Sequence, residues 1–311
     1  MEMIAPRQAY GEELVRLGLE NPEVVVLDAD VAKASMTILF KEQIPERFFD
    51  LGISESDIIG TGAGLAVAGK IPFVNAYANF LLGNGWEQIH ISVCYANQNV
   101  KIIGHNIGAS SGKDGPTHLP FEDIALMRVL PGMTVLEPAD GIEMRKAVRA
   151  IAKYKGPVYM RVGRVPTPVV TREEDAFEIG KANRCREGED ITLIACGVMV
   201  SKALEAAERL TQEGISAEVI NLHTIKPLDE ETILESVRKT GGVVTAEEHT
   251  VLGGMGSAVS ELLIQNYPVP MQMVGVKDRF GVCTSYAAMH EVLGLTVEEI
   301  LKASQKILQK T

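Results

Sequence analysis

The stretch "VVVLDAD" (residues 24–30) is apolar for four residues and then turns acidic. An unbroken Val/Leu run of this length suits a strand covered on both faces, as in a parallel sheet. The same shape recurs in "IPFVNAY" (71–77), "NVKIIGH" (99–105), "MTVLEP" (133–138) and "PVYMRVG" (157–163). It continues in "DITLIACG" (190–197), "AEVINLH" (217–223), "GGVVTAEE" (241–248) and "MQMVGV" (271–276). Between these runs, "DGIEMRKAVRAIAKYKG" (140–156) and "VMVSKALEAAERLTQEG" (198–214) have helical spacing and end at Gly. Alternation of this kind predicts an α/β protein of two domains, each a mostly parallel sheet covered by helices.

The domain boundary is sought where periodicity fails. "VPTPVVTREEDAFEIGKANRCREGE" (165–189) has two prolines and mixed charge, and is long for a loop within one domain. The expected division is a first domain over 1–168, a linker over 169–185 and a second domain over 186–311. A chain of 311 residues has room for two domains of ~150 residues each.

Composition narrows the function. The net charge is −11 and no dense Lys/Arg stripe exists, which argues against nucleic acid or an anionic membrane as partner. No apolar run approaches the ~18 residues of a membrane span. The opening "MEMIAPRQAYGEEL" lacks the basic-then-apolar order of a secretion signal. Cys94, Cys185, Cys196 and Cys283 are widely spaced, as free thiols of a reducing cytoplasm would be. A cytoplasmic enzyme is the expectation.

Ligands of open parallel sheets bind outside the carboxyl ends of the strands. Three polar strand exits mark such a cleft: "LDADVAKAS" (27–35), "IIGHNIGASSGKDGPTHLP" (102–120) and "MRVGRVP" (160–166). Glu55, in "LGISESDIIG" (51–60), reads first as a helix-starting acid, with Ser54 as the cap and Asp57 reaching back to it. Gly60, Gly62 and Gly64 each weaken that helix by roughly 1 kcal/mol relative to Ala, so something should pack closely on it.

Taken together, the landmarks resemble the carboxyl-terminal half of transketolase, and in particular the C-terminal subunit of split, two-chain transketolases. They are "RQAYGEELVRLGLENPEVVVLDADVA" (7–32), "PERFFDLGISES" (45–56), "AGLAVAGKIPFVNAYANF" (63–80), "DGPTHLPFEDIALMRVLPGMTVLEPADG" (114–141) and "GPVYMRVGRVPTPVV" (156–170). In the second domain "HTIKPLD" (223–229), "TAEEHTVLGGMGSAV" (245–259) and "GVKDRFG" (275–281) follow in the same order. The resemblance implies a pyrimidine-binding domain followed by a transketolase C-terminal domain, and a thiamine diphosphate cofactor. Glu55 then takes the activating position, hydrogen-bonded to the cofactor's pyrimidine N1′. The family usually follows this glutamate with Gln-Asn, and here Ser56 and Asp57 stand instead.

The resemblance also assigns the cleft. Tyr77 and Phe80 match aromatics that wall the aminopyrimidine, and a further family aromatic falls at Gly83. Asp30 matches an acid near the cofactor. Asp114 should meet a donor-sugar hydroxyl and His118 should line the channel as an acid/base candidate. Arg7 and Arg164 match phosphate-binding positions, assisted by Ser35. An ungapped alignment puts Asn106 where the family has a phosphate-end histidine; a one-residue bulge would instead put His105 there. Lys113 replaces a usual acid.

The family's diphosphate-binding Gly-Asp-Gly motif is not found in the sequence, and "GKDG" lacks its spacing. This chain is therefore expected to supply half an active site. Its implied partner is an N-terminal transketolase subunit that holds Mg²⁺ (or Ca²⁺) on the diphosphate, in a two-plus-two heterotetramer acting on sugar phosphates. No metal ligand is assigned within this chain. "LGGMGSAV" (252–259) reads as tight packing, and Glu247, Glu248 and His249 as a solvated or interface cluster. Two other readings stay open: the beta subunit of a 2-oxo acid dehydrogenase E1-type thiamine enzyme, and a non-catalytic scaffold or regulatory subunit.

Overall fold

The computed structural model describes residues 2–309. In the first half lie strands β1 (Met3–Ile4), β2 (Val24–Asp28), β3 (Phe48–Asp50), β4 (Ile71–Tyr77), β5 (Lys101–His105), β6 (Thr134–Leu136), β7 (Val158–Val162) and β8 (Thr167–Pro168). In the second lie β9 (Asn183–Arg186), β10 (Ile191–Ala195), β11 (Ala217–Asn221), β12 (Thr224–Lys226), β13 (Val243–Thr250) and β14 (Met271–Val276). The larger sheet has the order β12-β6-β7-β5-β4-β2-β3, and the smaller has β14-β13-β10-β11-β9. Pairing is parallel except at the edges, where β12 on β6 and β9 on β11 are antiparallel. A separate ribbon joins β1 to β8.

Every apolar run named from the sequence contains a strand of these sheets, and both helical segments form, at Gly141–Lys153 and Met199–Gln212. The sequence reading missed β1, β3, β8, β9 and β12, which are two to four residues long. Such short pieces carry too few residues to establish a period. Two of them bear on the domain plan. The polar edge strand β9, "NRCR", begins inside the stretch read as linker. The strand β12 follows the second domain's β11 yet extends the first domain's sheet through β6.

Asp140 shows how the strap between the halves is held. Its Oδ1 accepts from the Ile142 and Glu143 N–H groups and caps Gly141–Lys153. Its Oδ2 accepts from the Val170 and Thr171 N–H groups, both at 2.7 Å. One carboxylate therefore starts a helix and fixes the chain leaving the first domain.

At the contact between the two sheets, Arg161 of β7 is fully buried. Asp123 takes its Nε at 2.8 Å and Nη2 at 3.1 Å, Glu137 takes Nη1 at 2.7 Å, and the Glu248 carbonyl takes Nη2 at 3.2 Å. Burial works to lower the Arg161 pKa, but the Asp123 and Glu137 charges outweigh it and hold it above its ordinary value. Tyr159 adds a 2.6 Å hydrogen bond to Asp123.

The Glu247–His249 cluster belongs to this contact and is buried rather than solvated. Glu247 accepts from the Met255 and Gly256 N–H groups at 2.6 and 2.8 Å, at the start of helix Met255–Asn266. Gly254 and Gly256 leave no room for a β-carbon beside Glu247, so the glycine cluster is tight packing. The His249 Nε2 accepts from the Ile124 and Ala125 N–H groups across the boundary.

Replacing Arg161 by Met should strip two buried carboxylates of their counter-charge. A loss of about 3–5 kcal/mol in denaturant unfolding is expected, where an exposed ion pair such as Lys70–Glu23 would cost under about 1 kcal/mol.

Candidate active site

The site grows from the exits of β4, β5 and β7. At the end of β4, Tyr77 starts the turn into helix Ala78–Gln88, which carries Phe80. His118 closes a short 3₁₀ turn, Pro116–His118. The three rings meet: Tyr77–Phe80 centroids are 6.3 Å apart, Tyr77–His118 6.1 Å and Phe80–His118 5.0 Å, the last edge-to-face. Asn79 donates to the Thr117 carbonyl and ties the two segments together. Gly83 faces open space.

Glu55 is the first residue of helix Glu55–Val67 and is buried. Its Oε2 accepts from the Asn84 side chain at 3.1 Å. Phe80 and Asn84 are four residues apart, hence on one face of their helix, so the carboxylate and the ring cluster share that face. Helix Ala78–Gln88 comes so close because Gly85 lies against Ile59 and the Glu55 backbone, where a β-carbon would overlap the Ile59 side chain. The capping expected at Ser54 does not form, since neither Ser54 nor Asp57 bonds a free N–H of the first turn with its side chain.

Of the glycines expected to be closely packed, only Gly62 is, with its missing β-carbon 2.7 Å from Val74. Gly60 and Gly64 have nothing within 4 Å. Within this chain their face of the helix is open.

The cationic side is built from both ends of the first domain. Arg164, past the end of β7, pairs with Asp114 at 2.9 Å. Arg7, in helix Pro6–Glu20, donates to the Ala34 carbonyl at 3.0 Å. Burial and then the neighbouring Arg164 charge lower the Arg7 pKa from its ordinary value. The Arg7 main-chain N–H donates to the Gly163 carbonyl at 3.1 Å, which sets Arg7 beside the segment carrying Arg164, and the Asp114 carboxylate pairs with Arg164.

The remaining predicted residues lie elsewhere. The Ser35 hydroxyl is fully buried and bonds Asp28 and Thr37, which removes it from the cleft surface. Asp28, read in the sequence as part of a polar strand exit, is an interior acid, and burial raises its pKa to about 6. Asp30 is exposed at φ +58°, its N–H donating to Asp50. His105 ends β5 facing inward, its Nε2 3.0 Å from the Asn75 Oδ1 that also accepts from the Tyr10 hydroxyl. Because the Asn75 amide nitrogen is spent on the Leu27 and Phe73 carbonyls, Oδ1 is the acceptor and His105 donates through Nε2–H. Asn106 follows in the left-handed region at φ +60°. The buried His105 Nδ1, Asn106 Nδ2 and Ser111 Oγ have no partner among the described residues.

Asn84, Asn79 and the Tyr10–Asn75–His105 network were missed in the sequence. Asn84 sits four residues after Phe80 in "NAYANFLLGNG", a spacing that a helix puts on one face.

Residues 2–168 match the transketolase pyrimidine-binding domain, and residues 180–300 match the transketolase C-terminal domain. The chain belongs to the transketolase family. It is 44% identical to the 6-deoxy-6-sulfo-D-fructose transketolase subunit SqwH of Clostridium sp. (strain MSTE9), over 98% of this chain and 94% of the relative. It is 37% identical to a subunit of the apulose-4-phosphate transketolase of Phocaeicola vulgatus, covering 99% of each. A solved split-gene transketolase, described as an inactive beta4 tetramer, superposes with a TM-score of 0.93 at 47% identity, covering 98% of this chain and 99% of the other. This transketolase half is thus similar over its whole length to subunits of split enzymes.

Burial, and then the Arg7 charge, push the His105 pKa down to about 3. Unfolding restores a value near 6.5, so below that pH the unfolded chain takes a proton that the folded chain refuses. Relative to His105→Gln, the native chain should lose stability progressively as pH falls from about 6.5 towards 3, with a flat difference above pH 6.5. Thermal unfolding of both proteins across that range checks the sign.

Proposed function

We propose that this chain is the C-terminal subunit of a thiamine-diphosphate-dependent transketolase, moving a two-carbon ketol unit from a ketose phosphate or related anionic ketose to an aldose phosphate. The observation that most supports it is the buried Glu55 carboxylate, held by Asn84 on the helix face that also presents Phe80 to Tyr77 and His118.

These residues suit the pyrimidine half of the cofactor. Glu55 would hold a proton at pyrimidine N1′, shielded from bulk water, and the rings would wall the flat heterocycle. When bound, thiamine diphosphate supplies an acyl-anion equivalent that the side chains of a protein lack. In this reading His118 would exchange protons with a substrate hydroxyl, and Asp114 would accept a hydrogen bond from one. Arg164 and Arg7 would bind the anionic end of the substrate. The relatives named for a sulfo-ketose and for apulose 4-phosphate favour an anionic donor that need not be a common pentose phosphate.

Among the described residues, no group of three or more His, Cys, Asp and Glu is placed to hold a metal. In this reading Mg²⁺ and the diphosphate are held mainly by an N-terminal partner subunit, in a two-plus-two assembly. The open Gly60/Gly64 face is where close approach from outside this chain is possible.

Ketol transfer should be absent from either chain alone and appear, dependent on thiamine diphosphate, when the two are mixed. Glu55→Gln should then reduce kcat by about 10²–10⁴-fold without preventing assembly, as judged by sedimentation. A scaffold subunit would show no such loss. In the chain alone, Gly60→Ala should stabilise by about 0.5–1 kcal/mol, because its β-carbon meets nothing. In the mixture the same substitution should weaken association, read by titration calorimetry.

A further inference from the structure

The second domain supplies none of the residues assigned to the chemistry, yet it grips the loop carrying Lys113, Asp114 and His118 at both ends. Near the start, Gly108 (φ +52°) lies against the Glu248 side chain, which a β-carbon would overlap. Further along, the Cys283 thiol donates to the Lys113 carbonyl at 3.0 Å. A β-carbon on Gly112 (φ +48°) would be 3.0 Å from the Thr284 carbonyl oxygen. At the far end, the missing β-carbon of Gly281 would lie 2.5 Å from Leu119 and 3.2 Å from Phe121. Residues 281–285 therefore run along the loop in close contact.

One carboxylate holds these contacts together. Residues 281–285 lead into helix Tyr286–Leu293. From that helix, the His290 Nε2 lies 2.5 Å from the Glu248 Oε1. The Lys202 ammonium lies 2.5 Å from the His290 Nδ1. An ammonium only donates, so Nδ1 accepts and the neutral ring carries its hydrogen on Nε2, towards Glu248. The Glu248 main chain, in turn, accepts from Arg161. The Gly108 turn, the helix and the buried guanidinium meet at this one residue.

We propose that Glu248 and Cys283 are positioning residues: they clamp residues 108–121 and so set Asp114 and His118 against the substrate. This rests on the ketol-transfer reading and adds that donor binding depends on the second domain. Cys283 holds the part of the loop next to Asp114, so loosening it there should raise the donor KM far more than it changes kcat.

Cys283→Val removes the donor at this exposed position and adds one methyl group, and Cys283→Ser keeps a donor. In the complex with the partner subunit, Cys283→Val should raise the donor KM about threefold to fivefold with kcat within about twofold, and Cys283→Ser should restore it. Amide hydrogen exchange needs no activity. In Cys283→Val, and more strongly in Glu248→Gln, it should speed up over 108–121 and stay unchanged in β2 and β10. Unchanged exchange over 108–121 in both variants overturns the clamp. Faster exchange with an unchanged donor KM overturns the positioning role. Absence of ketol transfer from the wild-type complex overturns the substrate assignment, and exchange alone then decides whether the clamp stands.

Discussion

The arrangement of this molecule depends on one buried guanidinium. Moving a charge such as that of Arg161 out of water costs several kcal/mol, and only well-placed acceptors offset the cost. Its acceptors come from separate places: Asp123 at the start of the helix after the cleft loop, Glu137 just past β6, and Glu248 in β13. A shift of any of these by an ångström or two would leave a charge unpaired in the interior. The relative position of the two sheets is thereby narrowly defined, in a way that apolar contacts alone, which are non-directional, do not define it. The cleft inherits that definition. Arg164 lies three residues beyond Arg161, and the loop with Asp114 and His118 ends at Asp123.

The electrostatics of the cleft run against those of the chain. The sequence carries a net charge of −11, yet the cleft holds both Arg7 and Arg164, and the Arg164 charge helps to lower the Arg7 pKa. Asp114 neutralises only one of them. His105 adds nothing, because burial keeps it neutral and its Nε2–H is committed to Asn75. The positive charge at this end of the cleft is thus carried by guanidinium groups. An anionic ligand end would meet planar guanidinium forks here.

Much of the fold was legible because its strands are long, apolar and buried on both faces, which leaves an unbroken signal in the sequence. The short strands were not, and β12 shows why. "TIK" has no period of its own, and its place beside β6 follows from how the two sheets meet. The cleft divides in the same way. Tyr77, Phe80 and His118 were legible as residues, but their meeting as three rings depends on the turn that Asn79 fixes. Ser35 was misplaced because its neighbour Asp28 was read as part of a polar exit, whereas it is an interior acid that captures the hydroxyl. Glu247, Glu248 and His249 looked solvated because charge is rarely buried; only the partners brought from Met255, His290 and Ile124 make burial possible.

The helix Glu55–Val67 carries a cost that this chain does not offset. Each of its glycines weakens it by roughly 1 kcal/mol. Gly62 answers that cost by letting the helix settle onto Val74 of β4. Gly60 and Gly64 lie one turn apart with nothing against them. At the two ends of the same segment Ile53 and Val67 are 81% and 73% exposed. An apolar, side-chain-poor helix face is unfavourable in water and favourable only where a flat surface or a backbone can come near. The carboxylate at the head of this helix is the one proposed to hold a proton away from water. At 100° per residue Glu55 lies on the Gly62 side of the helix, so this chain's own packing, with Asn84, shields the carboxylate, whereas a surface brought against Gly60 and Gly64 would bury the opposite face.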